Sequence, residues 1–315
     1  MILITGGAGF IGSNFVKYFT KENDNNVVVV DNLTYAADLQ YLDNLPIEFV
    51  KADISDSKQM EYIFDKFKFK MVINFAAESH VDRSIYDPSS FIQSNIVGTV
   101  NLLNQSLKHE IEKFVQISTD EVFGDIDEGW FYEGSQINPR NPYSASKASA
   151  EHFVSAYNNT YGLPTTIINS SNNYGPHQFP EKLIPLTIKN LLSGKKVPIY
   201  GDGHQIRDWL YVEDNCDIIY KIIHYGNDGS RYCVGGDMEV ANIELVKMII
   251  KKLGLKNNMI EYVKDRPGHD KRYATDINKV REEFNWEPKT SLSDGLDKTI
   301  EWIKQNENRF QLQLL

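Results

Sequence analysis

The N-terminal half of the chain alternates short, wholly apolar blocks with longer stretches of helical periodicity. Met1–Thr5 is an apolar run that ends in glycine, and Val27-Val28-Val29-Val30 is a β-branched run closed by Asp31. Runs this short and this uniformly apolar suit strands buried on both faces of a parallel sheet. Ile47–Val50, Met71–Phe75, Phe114–Ser118 and Thr165–Asn169 repeat the pattern. Between them, Phe10–Thr20, Lys58–Phe67 and Phe91–Leu107 read as helices. A longer helix, Tyr143–Tyr161, is opened by Asn141-Pro142 and stopped by Gly162. Strands alternating with helices predict an α/β fold, a doubly wound parallel sheet covered on both faces.

Past about residue 170 the alternation breaks down. Helical patterns at Asp214–Tyr225, Ile243–Leu253 and Ser291–Gln305 are separated by loops such as Gly201-Asp-Gly-His204 and Asp265-Arg-Pro-Gly-His-Asp270. This divides the chain into a sheet domain over residues 1–170 and a smaller C-terminal α/β lobe over residues 171–315, with some segments returning to the first domain. Trp209, Trp286 and Trp302 are expected in the core. Arg207 and Arg266 stand beside loop glycines, where an arginine suits a phosphate. In isolation each reads first as a surface ion pair, to Asp208 or Asp270.

Composition narrows the class. A chain of 315 residues is long enough for one large domain or two packed lobes. Its net charge of -10 disfavours nucleic acid and anionic membranes as partners. No apolar run approaches the roughly 20 residues that span a bilayer. The N-terminus has no basic region and no cleavage site, which predicts a cytoplasmic protein. Cys216 and Cys233, the two cysteines, lack metal-ligand spacing and are expected to pack as small apolar residues, with no metal site.

The first strand runs into Gly6-Gly7-Ala8-Gly9-Phe10-Ile11-Gly12. Gly6, Gly9 and Gly12 allow a tight turn and let backbone N–H groups approach a pyrophosphate at a helix N-terminus. The strand before, the helix after and Asp31 at the end of the next strand are the context a Rossmann-type dinucleotide site requires. Asp31 is placed to accept from a ribose hydroxyl and would repel a 2′-phosphate, favouring NAD over NADP. Asp53 is placed either to reach the adenine edge or to cap the helix that follows.

The densest chemistry is Ser118-Thr119-Asp120-Glu121, followed 22 residues after Glu121 by Tyr143-Ser-Ala-Ser-Lys147. Tyr143 and Lys147 share a helix face. An ammonium beside a phenol favours phenolate, which suits removal of an alcohol proton while hydride leaves. Asp120 and Glu121 exceed what an alcohol oxidation needs and point to proton chemistry at a second carbon.

Assembled, these segments resemble the extended short-chain dehydrogenase/reductase superfamily and, within it, the dTDP-glucose 4,6-dehydratase family. The motifs are Thr5-Gly-Gly-Ala-Gly-Phe-Ile-Gly12, Ala76-Ala-Glu-Ser-His-Val-Asp-Arg-Ser84, Asn95-Ile-Val-Gly-Thr99 and Ser118-Thr-Asp-Glu-Val-Phe-Gly124. They continue with Tyr143-Ser-Ala-Ser-Lys147, Ser171-Asn-Asn-Tyr-Gly-Pro176 and Asp265-Arg-Pro-Gly-His-Asp270. Asp120-Glu121 is the specific element, since related epimerases typically lack the acidic pair.

The resemblance implies that Thr119, Asp120, Glu121, Tyr143 and Lys147 are catalytic. It implies an NAD site formed by Gly6, Gly9, Phe10, Ile11, Gly12, Asp31, Asn32, Leu33, Thr34, Asp53, Ile54, Phe75, Ala76, Ala77, Ser94 and Asn173, with Tyr143 and Lys147. It implies a nucleotide-sugar site formed by Ser79, Asn172, Lys182, Leu183, Pro198, Tyr200, Arg207, Asn242, Arg266 and His269, with Thr119. The implied substrate is dTDP-glucose, the implied assembly a homodimer, and the implied setting the biosynthesis of dTDP-rhamnose or another deoxysugar. The residues do not choose between dTDP-glucose and a UDP or CDP sugar. They also leave open a sugar-nucleotide epimerase, or a binding protein on the same fold, although the five catalytic positions are all present. Two departures stand out: a short loop from Gly124 to Tyr143, and Phe123 where the family commonly has Tyr.

Overall fold

A computed structural model describes residues 1–23 and 26–306. The first half follows the predicted alternation: β1 (Ile2–Thr5), α1 (Phe10–Glu22), β2 (Val27–Asp31), β3 (Ile47–Lys51), α2 (Ser57–Lys66), β4 (Met71–Asn74) and α3 (Val81–Tyr86). Next come α4 (Ser89–Phe91), a π-helical stretch (Ile92–Gly98), α5 (Thr99–Lys108), β5 (Lys113–Thr119), α6 (Pro142–Tyr161) and β6 (Thr165–Ser170). The second half adds β7 (Asn172–Tyr174), α7 (Leu183–Leu192), β8 (Val197–Tyr200), β9 (Ile206–Tyr211), α8 (Val212–Tyr225) and β10 (Ser230–Val234). It closes with β11 (Glu239–Ala241), α9 (Asn242–Lys252), β12 (Ile260–Val263), α10 (Asn278–Phe284) and α11 (Leu292–Gln305).

Seven parallel strands form the main sheet in the order β10-β6-β5-β4-β1-β2-β3. Because side chains alternate along a strand, its uniformly apolar runs feed two cores. Ile2, Ile4, Val27, Val29 and Ile73 pack on one face with Phe15 of α1 and Ile219 of α8. Leu3, Val28, Val30 and Val72 pack on the other with Met60 of α2, Leu102 of α5 and Val154 of α6. A third core joins α7, α9 and α11 with β8 and β9 in the C-terminal lobe. There β7 and β9 are parallel and β9 and β11 antiparallel, while β8 and β12 form a separate pair.

Two sequence expectations change. The stretch Phe91–Leu107 is not one regular helix, because Ile92–Gly98 winds as a π-helix. That looser turn lets Asn95 accept from the Glu78 N–H at 2.8 Å and donate to Ser146 Oγ at 2.8 Å, tying the helix to α6. The C-terminal half also holds more regular structure than its loops suggested. Its strands are three to six residues long and broken by polar residues or proline, so they lack the continuous apolar runs that mark the main sheet. Trp209 and Trp286 are buried, and Trp302 packs half-buried against the third core. Asn141 and Gly162 bound α6 as expected: Asn141 Oδ1 accepts from Ser144 N at 2.9 Å, and Gly162 is left-handed at φ 69°.

The helix α1 leaves the first turn so tightly that a Cβ on Gly12 would meet Gly6 O at 2.2 Å. Gly12→Ala is therefore expected to force the turn and α1 apart, costing about 1–3 kcal/mol by analogy with overpacked cores. Chemical denaturation of the purified variant measures this, and unchanged stability would mean the contact relaxes freely.

Candidate active site

A cavity of about 410 Å³ opens at the C-terminal ends of β1, β2, β4 and β5. Its floor is the glycine turn. Gly9 precedes α1 without any side-chain cap, and the first turn of α1 holds no acidic residue. The first N–H groups of a 13-residue helix are thus left for an anion. Gly6 has φ 69°, and a Cβ there would meet Ala76 N at 2.5 Å, so the turn fits closely against the chain after β4.

Gly6, Gly9, Phe10, Ile11, Gly12, Asp31, Asn32, Thr34, Asp53, Ile54, Phe75, Ala76, Ala77, Ser94, Tyr143 and Lys147 all line the cavity. Leu33 and Asn173 do not. Leu33 turns at φ 55° to pack against the first core, and Asn173 Nδ2 donates to Ser171 O at 3.0 Å. Asp31 is held by Ala8 N–H at 2.9 Å and Leu33 N–H at 2.8 Å, and burial still raises its carboxyl above the usual range. Asp53 does not cap α2; Asp56 does, accepting from Lys58 N and Gln59 N. Asp53 instead accepts from Ser55 N at 2.8 Å and Asn32 Nδ2 at 2.8 Å, at the cavity edge. The open end is lined by residues with no sequence signal of their own, among them Ser90, Gln93, Gln178, Phe179 and Glu181. Ser79 and Lys182 also line it, joined by Lys182 Nζ donating to Ser79 O at 2.8 Å.

Thr119 ends β5, and Asp120 and Glu121 begin the single turn after it. Glu121 N donates to Thr119 Oγ1 at 3.3 Å, which fixes that turn. Tyr143 and Lys147 occupy the first turns of α6, both buried. The expected ammonium–phenol arrangement is modified here: Lys147 Nζ donates to Ile117 O at 2.7 Å. Burial comes first among the causes that hold Tyr143 above the ordinary phenol range, followed by the charges of Glu121 and Asp120; its bond with Thr119 opposes them. The Tyr143 phenol therefore holds its proton more tightly than a free tyrosine, and added positive charge nearby would ease its loss. Burial lowers Lys147 to about 8 against the nearby charge of Glu151.

The adjacent carboxyls are both raised by burial but differ in their charged neighbours. Asp120 is buried, its Oδ2 has no partner, and burial, Glu121 and Asp208 hold its carboxyl well above the usual range. Glu121 is also raised by burial, but Arg266, Arg207 and Lys182 all pull it down. Neither arginine forms the predicted pair. Arg207 donates to the carbonyls of Ile206 at 2.7 Å and Asp270 at 2.9 Å and lies over the Tyr273 ring, while Arg266 meets Asp82 at 3.3 Å. Tyr200 donates to the same Asp82 at 3.1 Å. His269 pairs with Asp265 at 2.7 Å, and burial with the Arg266 charge lowers its imidazole to about 4. Arg266 Nε, Asn172 Oδ1 and Asn242 Oδ1 are buried without partners, a set of polar atoms suited to a polar ligand. Leu183 begins α7 and packs against the third core, and Pro198 lies on β8. Phe123 stacks on Phe131 at 5.3 Å, filling a small apolar cluster where no hydroxyl is needed.

A family model described as GDP-mannose 4,6 dehydratase matches residues 3–299. The dTDP-glucose 4,6-dehydratase of Neisseria meningitidis is 46% identical over 98% of this chain and 95% of its own length. The chain belongs to the dTDP-glucose 4,6-dehydratase family. Among solved structures, the family member DesIV of Streptomyces venezuelae, with NAD and TYD bound, matches with a TM-score of 0.95 at 40% identity over 99% of both chains. The dTDP-glucose 4,6-dehydratase of Bacillus anthracis, in complex with NAD, matches with a TM-score of 0.91 at 43% identity over 99% of both chains.

The buried Lys147 carries a stability consequence. An ammonium lowered from 10.5 to about 8 disfavours the folded state below pH 8. That penalty fades as pH rises from about 8 to 10.5, where the unfolded chain also loses the proton. Lys147→Met is expected to gain about 1–3 kcal/mol at pH 7, with the gain shrinking toward pH 10.5. Ile117 O keeps its bond from Gln116 Nε2 at 3.0 Å in that variant. Thermal unfolding at several pH values measures this, and a loss of stability at pH 7 would contradict it.

Proposed function

We propose that the protein converts dTDP-glucose to dTDP-4-keto-6-deoxyglucose. The reaction is oxidation at C4, loss of water across C5 and C6, and hydride return to C6. NAD, when bound, accepts the C4 hydride and gives it back at C6. Everything else falls to the chain. The glycine turn and Asp31 hold the dinucleotide, with Phe10, Ile11, Asn32, Thr34, Asp53, Ile54, Phe75, Ala76, Ala77 and Ser94 around it. With the Lys147 ammonium and the positive charge of the bound nicotinamide nearby, Tyr143 gives up its own proton; as phenolate it takes the C4 hydroxyl proton as the hydride departs, while Thr119 holds that hydroxyl. The C4 ketone then makes the C5 proton acidic. Glu121 removes that proton and later restores one at C5. Asp120 donates a proton to the C6 hydroxyl, which leaves as water; before the next turnover Asp120 regains a proton and Tyr143 releases the one it took, by exchange with solvent. Arg207, Arg266, His269, Lys182, Asn172 and Asn242 bind the nucleotide-sugar.

The observation that carries this reading is the contrast between neighbouring carboxyls. Burial first, then the charges of Glu121 and Asp208, hold Asp120 well above the usual carboxyl range, with Arg207 opposing them. Glu121 is raised less, because Arg266, Arg207 and Lys182 offset part of the effect of its burial. An elimination needs one acid and one base at the same pH, and that contrast supplies both. The polar nucleotide-sugar surface belongs mainly to residues 171–315, with β10 and α8 serving the NAD-binding part. No described helix is long and apolar enough to cross a membrane. We read the enzyme as a cytoplasmic homodimer. Exposed Leu107 on α5 and Phe153 and Tyr161 on α6 support the pairing, since such side chains gain from a partner surface.

The test separates elimination from oxidation. Glu121→Gln is expected to retain transient C4 oxidation and lose solvent-deuterium incorporation at C5, with product formation down by about 10²–10⁴-fold. Asp120→Asn is expected to spare C5 exchange more than water loss. Mass spectrometry of recovered substrate and product reads both. Full C5 exchange in Glu121→Gln would remove that residue from the mechanism, and NADH accumulating in step with wild-type turnover would refute the internal hydride return.

A further inference from the structure

Beneath the reacting side chains lies a buried charged network with no place in the scheme above. Glu151 sits one helical turn after Lys147 on α6 and is fully buried. Its Oε1 accepts from Ser118 Oγ on β5 and from Asn169 Nδ2 on β6, the latter at 2.7 Å. Its Oε2 meets Arg231 Nη1 of β10 at 2.6 Å. Arg231 also donates to Asn169 Oδ1 at 2.9 Å, and Asn169 Nδ2 donates to Thr119 O at 2.9 Å. One carboxylate thus joins the end of the strand carrying Thr119, Asp120 and Glu121 to the helix carrying Tyr143 and Lys147. Burying an ion pair is costly and contributes little net stability, so its worth lies in what it fixes.

Resting on the dehydratase reading, we propose that Glu151 is a positioning residue for the reaction: it locks α6 in register with the end of β5 and places a negative charge beneath Lys147. The charge keeps the Lys147 ammonium protonated against its burial. The other titratable groups facing this network are Tyr143 on α6, Asp120 after β5, Cys233 beside Arg231 on β10, and Glu133, whose Oε1 accepts from Cys233 N at 3.0 Å. Arg231 is the cation that meets the Glu151 carboxylate at 2.6 Å, so removing one or the other changes the net charge of the pair in opposite directions.

The experiment measures kcat, KM and the pH dependence of kcat with dTDP-glucose for the NAD-loaded wild type, Glu151→Gln and Arg231→Gln. Wild-type turnover is established first, because its absence would refute the proposed reaction and not the role of Glu151. Glu151→Gln is expected to lower kcat by about 10–100-fold with KM within about twofold. Its alkaline limb should move down by about one unit, since Lys147 loses the charge that retains its proton. Arg231→Gln should move the same limb upward. A purely structural role would leave the limb in place and scale kcat with the folded fraction, and that result, or shifts of one sign in both variants, overturns the proposal. If Glu151→Gln does not fold, the direction of the shift in Arg231→Gln decides.

Discussion

Removal of water from the end of β5 and the start of α6 is the constraint on which the site depends. Asp120, Tyr143 and Lys147 are buried together, and burial is the largest influence on each. In such surroundings a neighbouring charge acts far more strongly than it would at the surface. Small differences in who faces whom therefore become differences in protonation. Asp208 adds to the burial of Asp120, while Arg266 and Lys182 act on Glu121 and Arg207 acts on both, so two adjacent residues differ in how tightly they hold a proton. Asp208 is itself raised only to about 6, because Gly236 N and Met238 N hold its carboxylate at 3.0 and 2.9 Å.

The scaffold that maintains this is layered. A polar ladder crosses the sheet below the cavity, with Thr5 Oγ1 donating to Asn74 Oδ1 at 2.6 Å and Asn74 Nδ2 to Gln116 Oε1 at 2.9 Å. These side chains sit opposite one another in register on β1, β4 and β5. The ladder satisfies buried polar groups in a sheet otherwise packed by valine and isoleucine, and it aligns the strand ends that carry the glycine turn and Thr119.

Much of this was legible in the sequence. The glycine turn, Asp31 and the Tyr143–Lys147 spacing are local patterns whose meaning depends on neighbours along the chain, and each lies at the mouth or wall of the same cavity. The fold class followed from apolar runs whose two faces enter two cores. What escaped was non-local. Asp82 on α3 as the partner of Arg266, and Asp208 on β9 as a charge near Asp120, are brought there from distant segments of the chain. The direction of the Tyr143 shift escaped for the same reason: spacing along a helix reveals Lys147 but not the burial, nor the approach of Glu121 and Asp120, that raise the phenol. The π-helical turn at Ile92–Gly98 has no periodic signature, since its purpose is the Asn95 contacts.

The strand β10 has a consequence for the order in which the chain matures. It completes the edge of the main sheet from a position sixty-odd residues after its neighbour β6, pairing Ser230 with Thr166 and Val234 with Ser170. Until that segment leaves the ribosome, the edge of β6 is an open template and Glu151 is a carboxylate without its arginine. The N-terminal portion cannot finish folding as an independent unit during synthesis. Closure of a long loop must precede completion of the reactive centre, a topology that slows folding. A nascent chain halted before β10 would present an unpaired strand and a buried charge, both marks by which quality control recognises unfinished protein.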